Sequence, residues 1–209
     1  MDKMIQEFIK KYCHSKDSNV CLLGPMLKQM PNGLDSRAGV FFIDGACRFR
    51  REFSGQSLSI GDGDSSSADQ MDCLLPTQKD QSDLSYLLQN FNYPYHLSLY
   101  GLMGGRLDHQ LAVLGECSQF TQRTRGQCQL FDEQNQLKCL IGDKIDFEHH
   151  GTFSVLSFTA QLVTIQGKAQ YQIQSQVMSS LSALGLSNQA DGSVTVLADQ
   201  PVIVIFEDD

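Results

Sequence analysis

Between Ser59 and His109 the chain presents three acidic turns: Ser59-Ile-Gly-Asp-Gly-Asp-Ser65, Lys79-Asp-Gln-Ser-Asp83 and Gly101-Leu-Met-Gly-Gly-Arg-Leu-Asp-His109. Each follows an apolar run. Strands of a parallel sheet end at one edge, so turns far apart in sequence can meet there. If Asp62, Asp64, Asp80 and Asp83 converge, their charges need compensation, because two carboxylates ~5 Å apart repel by about 3 kcal/mol at an effective dielectric near 20. The hard, oxygen-preferring ion for such a set is Mg²⁺, which commonly arrives with the phosphates of a nucleotide.

Each motif also has a plainer use. Asp62 and Asp64 point the same way if the backbone stays extended, yet Asp-Gly pairs are common solvated turns. Asp80 and Asp83 share a face at a helix start, where either also serves as a cap. Gly104 and Gly105 let the backbone approach a ligand, and Arg106 could fork onto a phosphate. The alternative is a tight strand-to-helix turn with an Arg106–Asp108 surface pair. His149 and His150 are adjacent, so they point apart on a strand and read as the flank of a turn rather than a metal site.

The elements that must position these residues fall into two patterns. Met4, Ile5, Phe8, Ile9 and Tyr12 mark a first amphipathic helix. Short apolar runs at 20–24, 40–43, 58–60, 73–75 and 96–100 read as strands. Asp80–Phe91, capped by Asp80, and Leu107–Cys117, with Leu107, Leu111 and Leu114 on one face, read as helices. Buried strands alternating with helices predict an α/β region with a mostly parallel sheet flanked by helices over residues 1–125. From 126 to 209, runs at 127–131, 137–141, 144–147, 152–158, 162–165, 169–173, 192–197 and 202–206 read as strands. With no helix among them, they predict an all-β antiparallel sandwich or barrel.

Composition sets outer bounds. The net charge is −8, which argues against a nucleic-acid backbone or an anionic membrane as the main partner. Seven cysteines, widely spaced and without a Cys-x-x-Cys pair, read as buried reduced thiols of a cytoplasmic protein rather than a disulfide frame or a zinc site. The N-terminal helix lacks the apolar core of a signal peptide, and no uncharged run approaches a membrane span.

Taken together, the motifs resemble those of thiamine pyrophosphokinases. That family carries Asp-Gly-Gly, Gly-Asp-Phe-Asp-Ser, Asp-x-Thr-Asp, Gly-Gly-Arg-x-Asp-His and a later Ser-Asn. Here the corresponding residues are Asp44-Gly45-Ala46, Gly61-Asp-Gly-Asp-Ser65, Asp80-Gln-Ser-Asp83, Gly104-Gly-Arg-Leu-Asp-His109 and Ser187-Asn188. Ala46, Gly63 and Ser82 depart from the pattern, as does 167–171. The resemblance implies transfer of pyrophosphate from ATP to the hydroxyl of thiamine, with Mg²⁺ held by Asp62, Asp64 and Asp83. It places Asp44, Gly45, Ser65, Asp80, Gly104, Gly105, Arg106 and Asp108 around the nucleotide and its phosphates, and Arg106 among the catalytic groups. Ser187, Asn188 and Tyr171 would contact thiamine at a homodimer interface. A same-fold enzyme acting on a pterin alcohol and a non-catalytic ligand-binding homologue are the alternatives.

Overall fold

Asp2 starts the first helix. Its carboxylate accepts from the backbone N–H groups of Met4 and Ile5 at 2.9 and 3.2 Å, satisfying donors that a helix start leaves open. Helix α1 (Lys3–Tyr12) then buries Ile5, Phe8 and Ile9. The computed structural model describes residues 2–13, 19–34, 38–64, 70–78 and 80–207.

Six strands form a parallel array: β1 (Asn19–Leu23), β2 (Val40–Ile43), β3 (Ser57–Gly61), β4 (Cys73–Leu74), β5 (His96–Tyr100) and β6 (Gln127–Phe131). Their order is β4-β3-β2-β1-β5-β6. Every pairing among them is parallel. All four residues of β2 are buried, as expected of a strand covered on both faces. One face packs with α1, α2 (Asp83–Leu88) and α3 (Leu107–Thr124) around Phe41, Phe91, Leu97 and Phe120. The other packs Leu23 and Phe42 against Ala46 and Cys47 of the 3₁₀ segment Asp44–Glu52. The order reverses between β1 and β5, so a crevice opens there at the carboxyl ends of the strands.

The direction changes at β7 (Leu137–Ser157), which runs antiparallel to β6. Beyond it lie β8 (Gln161–Ala169), β9 (Ile173–Met178) and β10 (Asn188–Phe206). Along β10 the partners in β7 run in descending order, Asn188 opposite Phe153 and Leu197 opposite Lys144, so this pairing too is antiparallel. After a register break, 202–206 lies between the two ends of β7, with Ile205 opposite both Cys139 and Ser154. Long bent strands thus pass from one layer to the next. Alternate side chains of 202–206 serve two cores: Ile203 joins the helix-covered core, while Val202, Val204 and Phe206 join the β core.

Several elements differ from the sequence reading. Helix α2 begins at Asp83, not Asp80, because the Ser82 hydroxyl reaches the Ser85 N–H at 2.9 Å and caps it; Asp80 is exposed outside the helix. Helix α3 continues to Thr124 because Val113, Cys117, Phe120, Thr121 and Thr124 sustain one buried stripe. Leu107 and Leu111, expected on the packed face, are 70% and 47% exposed. The stretch 170–172 is a turn rather than strand, and β9 follows it; its glutamine-rich sequence hid it. His149 and His150 sit inside β7. All seven cysteines are buried and unbridged, as expected.

Candidate metal and phosphate cleft

At the carboxyl edge of the parallel strands, each chain turn delivers one acidic side chain. Asp44 follows β2, Asp62 follows β3, and Asp83 opens α2. Carboxylate oxygens of Asp44, Asp62 and Asp83 lie within 4.8 Å of one another, and all three residues are half-buried. Two backbone features make this possible. Asp44 has a left-handed φ of 49°, a conformation costly for a non-glycine residue and found where a site demands it. At Gly61 a Cβ would stand 3.0 Å from the Asp44 Cα, so a larger residue would push the two strand ends apart by a few tenths of an ångström.

The three oxygens suit an octahedral oxygen-loving cation, whose opposite ligands sit about 4.2 Å apart. The trio differs from the expected one. Asp44, expected beside the nucleotide, stands with Asp62 and Asp83. Asp64 is exposed and lines the same cleft, its N–H donating to the Asp62 carboxylate at 3.2 Å, but it is not in the close group. Asp80 does not line the cleft. Ser65 lies outside the described residues. Gly45 is buried behind Asp44, its carbonyl accepting from Arg48 at 3.0 Å.

The cleft measures ≈ 900 Å³ and continues from the trio to Gly104, Gly105, Arg106 and Asp108. Gly101 anchors this wall: with φ 63°, its missing Cβ would stand 2.4 Å from the Leu27 backbone nitrogen. The exposed Arg106 guanidinium forks onto Asp108 through Nε at 3.1 Å and Nη2 at 2.5 Å. This hydrogen bonding holds the Asp108 carboxyl below its usual range and raises Arg106. A phosphate would compete with Asp108 for the same fork.

Met26 and Glu116 are among the cleft residues that sequence reasoning missed. Met26 covers Gly105, where a Cβ would meet its Cε at 3.3 Å. Glu116 projects from α3 and accepts from the Ser82 hydroxyl at 2.7 Å. Burial raises its carboxyl above the ordinary glutamate range, and the Ser82 bond partly offsets this. Glu116 stands eight residues beyond Asp108, a spacing that belongs to no motif.

The same arrangement of strands occurs in solved proteins. A Bacillus subtilis thiamine pyrophosphokinase superposes with TM-score 0.69 over 92% of this chain and 100% of its own, at 16% identity. A thiamin pyrophosphokinase family protein from Enterococcus faecalis gives 0.67, with 92% and 100% covered at 19% identity. The Candida albicans thiamin pyrophosphokinase gives 0.65, with 91% and 90% covered at 11% identity. The chain has the thiamine pyrophosphokinase fold. No family model matches the sequence, and no curated protein matches it.

Within this fold the remaining expected residues lie in the β region, away from the cleft lining. Asn188 is 2% exposed. Its amide oxygen accepts from Tyr171 N–H at 2.9 Å and its amide nitrogen donates to Tyr171 C=O at 2.6 Å. Ser187 has a left-handed φ of 52°, and its N–H donates to the Ser154 hydroxyl at 3.0 Å. The Tyr171 ring is left exposed at 60%. Among the described residues no helix is long and apolar enough to cross a membrane.

Proposed function

We propose that this chain is a cytoplasmic, Mg²⁺-dependent pyrophosphokinase that transfers the β,γ-pyrophosphate of ATP to the hydroxyl of thiamine. The observation that carries the reading is the meeting of Asp44, Asp62 and Asp83 beside the Gly104–Arg106 turn in one cleft. The hydroxyl oxygen of the acceptor attacks the β-phosphorus. The bond from that phosphorus to the α–β bridging oxygen breaks, and AMP leaves with the oxygen. The proton of the hydroxyl passes to a base.

Such chemistry asks for position and charge rather than a covalent intermediate. Asp44, Asp62 and Asp83 would hold Mg²⁺, with Asp64 at the mouth of the cleft. When bound, the metal neutralises phosphate charge. Arg106 releases Asp108 and takes the phosphate oxygens. The Gly104–Gly105 turn admits the phosphates to the start of α3.

Tyr171, Ser187 and Asn188 would receive thiamine at a homodimer interface, bringing the acceptor to a cleft that these residues do not line. A dimer would also cover an apolar strip on the outer β face. Leu162 and Val177 are cross-strand partners there, 43% and 62% exposed, and Leu197 adds another exposed side chain at 37%.

The test is AMP release from protein, Mg²⁺ and ATP with thiamine, with a pterin alcohol, or with neither. Release with thiamine alone is expected. Release with the pterin alone moves the reading to another acceptor, and ligand-induced melting shifts without turnover would make the protein a binding homologue.

A further inference from the structure

Helix α2 carries Asp83 in its first turn, yet it has only six residues. Helices this short are not stable on their own. Its position must come from outside, and α3 grips it at both ends. At the start, Glu116 accepts from the Ser82 hydroxyl at 2.7 Å while the same hydroxyl accepts from Ser85 N–H at 2.9 Å. At the finish, Arg123 donates to Leu88 C=O at 2.8 Å and to Phe91 C=O at 2.7 Å. Glu116 and Arg123 are seven residues apart, so they stand on one face of α3, separated by about two turns. Their spacing of roughly 10 Å is close to the length of α2 itself.

We propose that Glu116 and Arg123 form a clamp that sets the place of α2 and so aims Asp83 at the metal, making both positioning residues for the site. The inference rests on the metal reading given above. Glu116 acts on the cap, one residue from Asp83, and its effect is the more direct. Arg123 fixes the far end, so that α2 cannot slide along or tilt away from α3. The sides of the clamp differ chemically. Glu116 needs only an acceptor oxygen, which glutamine also offers, whereas Arg123 uses two nitrogens of one guanidinium on two carbonyls, which lysine cannot reproduce.

Mn²⁺ affinity, measured by electron paramagnetic resonance on the full chain, tests this directly. It is run beside activity as a function of Mg²⁺ concentration, for Glu116→Ala, Glu116→Gln, Arg123→Lys and Asp83→Asn. Partners that orient metal ligands are commonly worth about 10- to 100-fold in affinity. Glu116→Ala is expected to weaken Mn²⁺ binding about tenfold and to raise the Mg²⁺ needed for half-maximal activity in step, with kcat at saturating Mg²⁺ little changed. Glu116→Gln should restore both to near wild type, and Arg123→Lys should fall between. A purely structural role would lower the melting temperature without this split. Unchanged metal affinity in Glu116→Ala, or a Glu116→Gln variant as weak as Glu116→Ala, overturns the clamp while leaving the metal site standing, provided Asp83→Asn loses Mn²⁺. If the wild type binds no Mn²⁺, the clamp and the metal reading fall together. If Glu116→Ala does not fold, Glu116→Gln and Arg123→Lys decide: equal metal affinity in these two contradicts the clamp.

Discussion

At the rim of the parallel sheet, separate turns bring half-buried acidic side chains around shared space. At the Tyr171–Asn188 corner, by contrast, the chain itself occupies the polar groups of Asn188 and leaves an aromatic ring outside. The first arrangement stores like charge that a cation would relieve. The second pairs neutral groups and presents an exposed aromatic ring. Binding a charged phosphate chain and receiving a flat organic acceptor ask for these two different preparations. One can be assembled within a single chain, while the other, in the reading proposed here, is completed by a second copy.

The largest expected effect separates charge from fold. Asp62→Asn should lower turnover by at least about 100-fold while the melting temperature without metal stays level or rises, since carboxylates this close repel by about 3 kcal/mol at an effective dielectric near 20. A clear fall in melting temperature would make Asp62 a structural residue. Next in size, Arg106→Ala should reduce kcat by about 100-fold and leave KM for thiamine within a small factor, because its guanidinium is exposed and bonded only to Asp108 among the contacts described. A larger effect on thiamine KM than on kcat would contradict its role.

At the other region the pattern should invert. Asn188→Ala should raise thiamine KM more than it lowers kcat. It should also cost about 1–3 kcal/mol of stability, because the Tyr171 backbone groups lose a buried partner; steady-state kinetics and urea melts read the two effects. An unaltered KM would remove this corner from the acceptor site. The smallest effect concerns reactivity. Burial pushes the Cys13 and Cys73 thiols up to about 12 and those of Cys47 and Cys139 to about 11. All seven cysteines are buried, so the native protein should react negligibly with a disulfide reagent at pH 8 and expose seven thiols when unfolded. Cys139, in β7 beside β6, is the last cysteine, so partial labelling in mild urea would report opening of the parallel region and this bordering strand while the more distal strands stay silent.

What the sequence disclosed follows from the same contrast. Continuous apolar runs such as 20–23 and 40–43 announce doubly covered strands, and the glycine and aspartate at strand ends announce turns, so the parallel sheet and its acidic edge were legible. The membership of the closest trio was not. Spacing favoured Asp64 over Asp44, but the left-handed turn at Asp44 and the missing Cβ of Gly61 decide which oxygens meet, and both are tertiary facts. The cap of α2 was misplaced because Asp80 and Ser82 are both good capping residues. The choice of Ser82 is accompanied by its bond to Glu116, thirty-four residues away. In the β region the sequence reading saw separate short strands where β7 and β10 are long and bent. Gly142 and the break between Leu197 and Val202 look like ends in sequence but are corners in space.

The central claim is that Asp44, Asp62 and Asp83 together hold one divalent ion. Calorimetric titration of Mg²⁺ into the wild type, Asp44→Asn and Asp64→Asn tests it most directly. The account predicts a single ion in the wild type, at least about tenfold weaker binding in Asp44→Asn, and a smaller loss in Asp64→Asn. Equal affinity in the wild type and Asp44→Asn would contradict it.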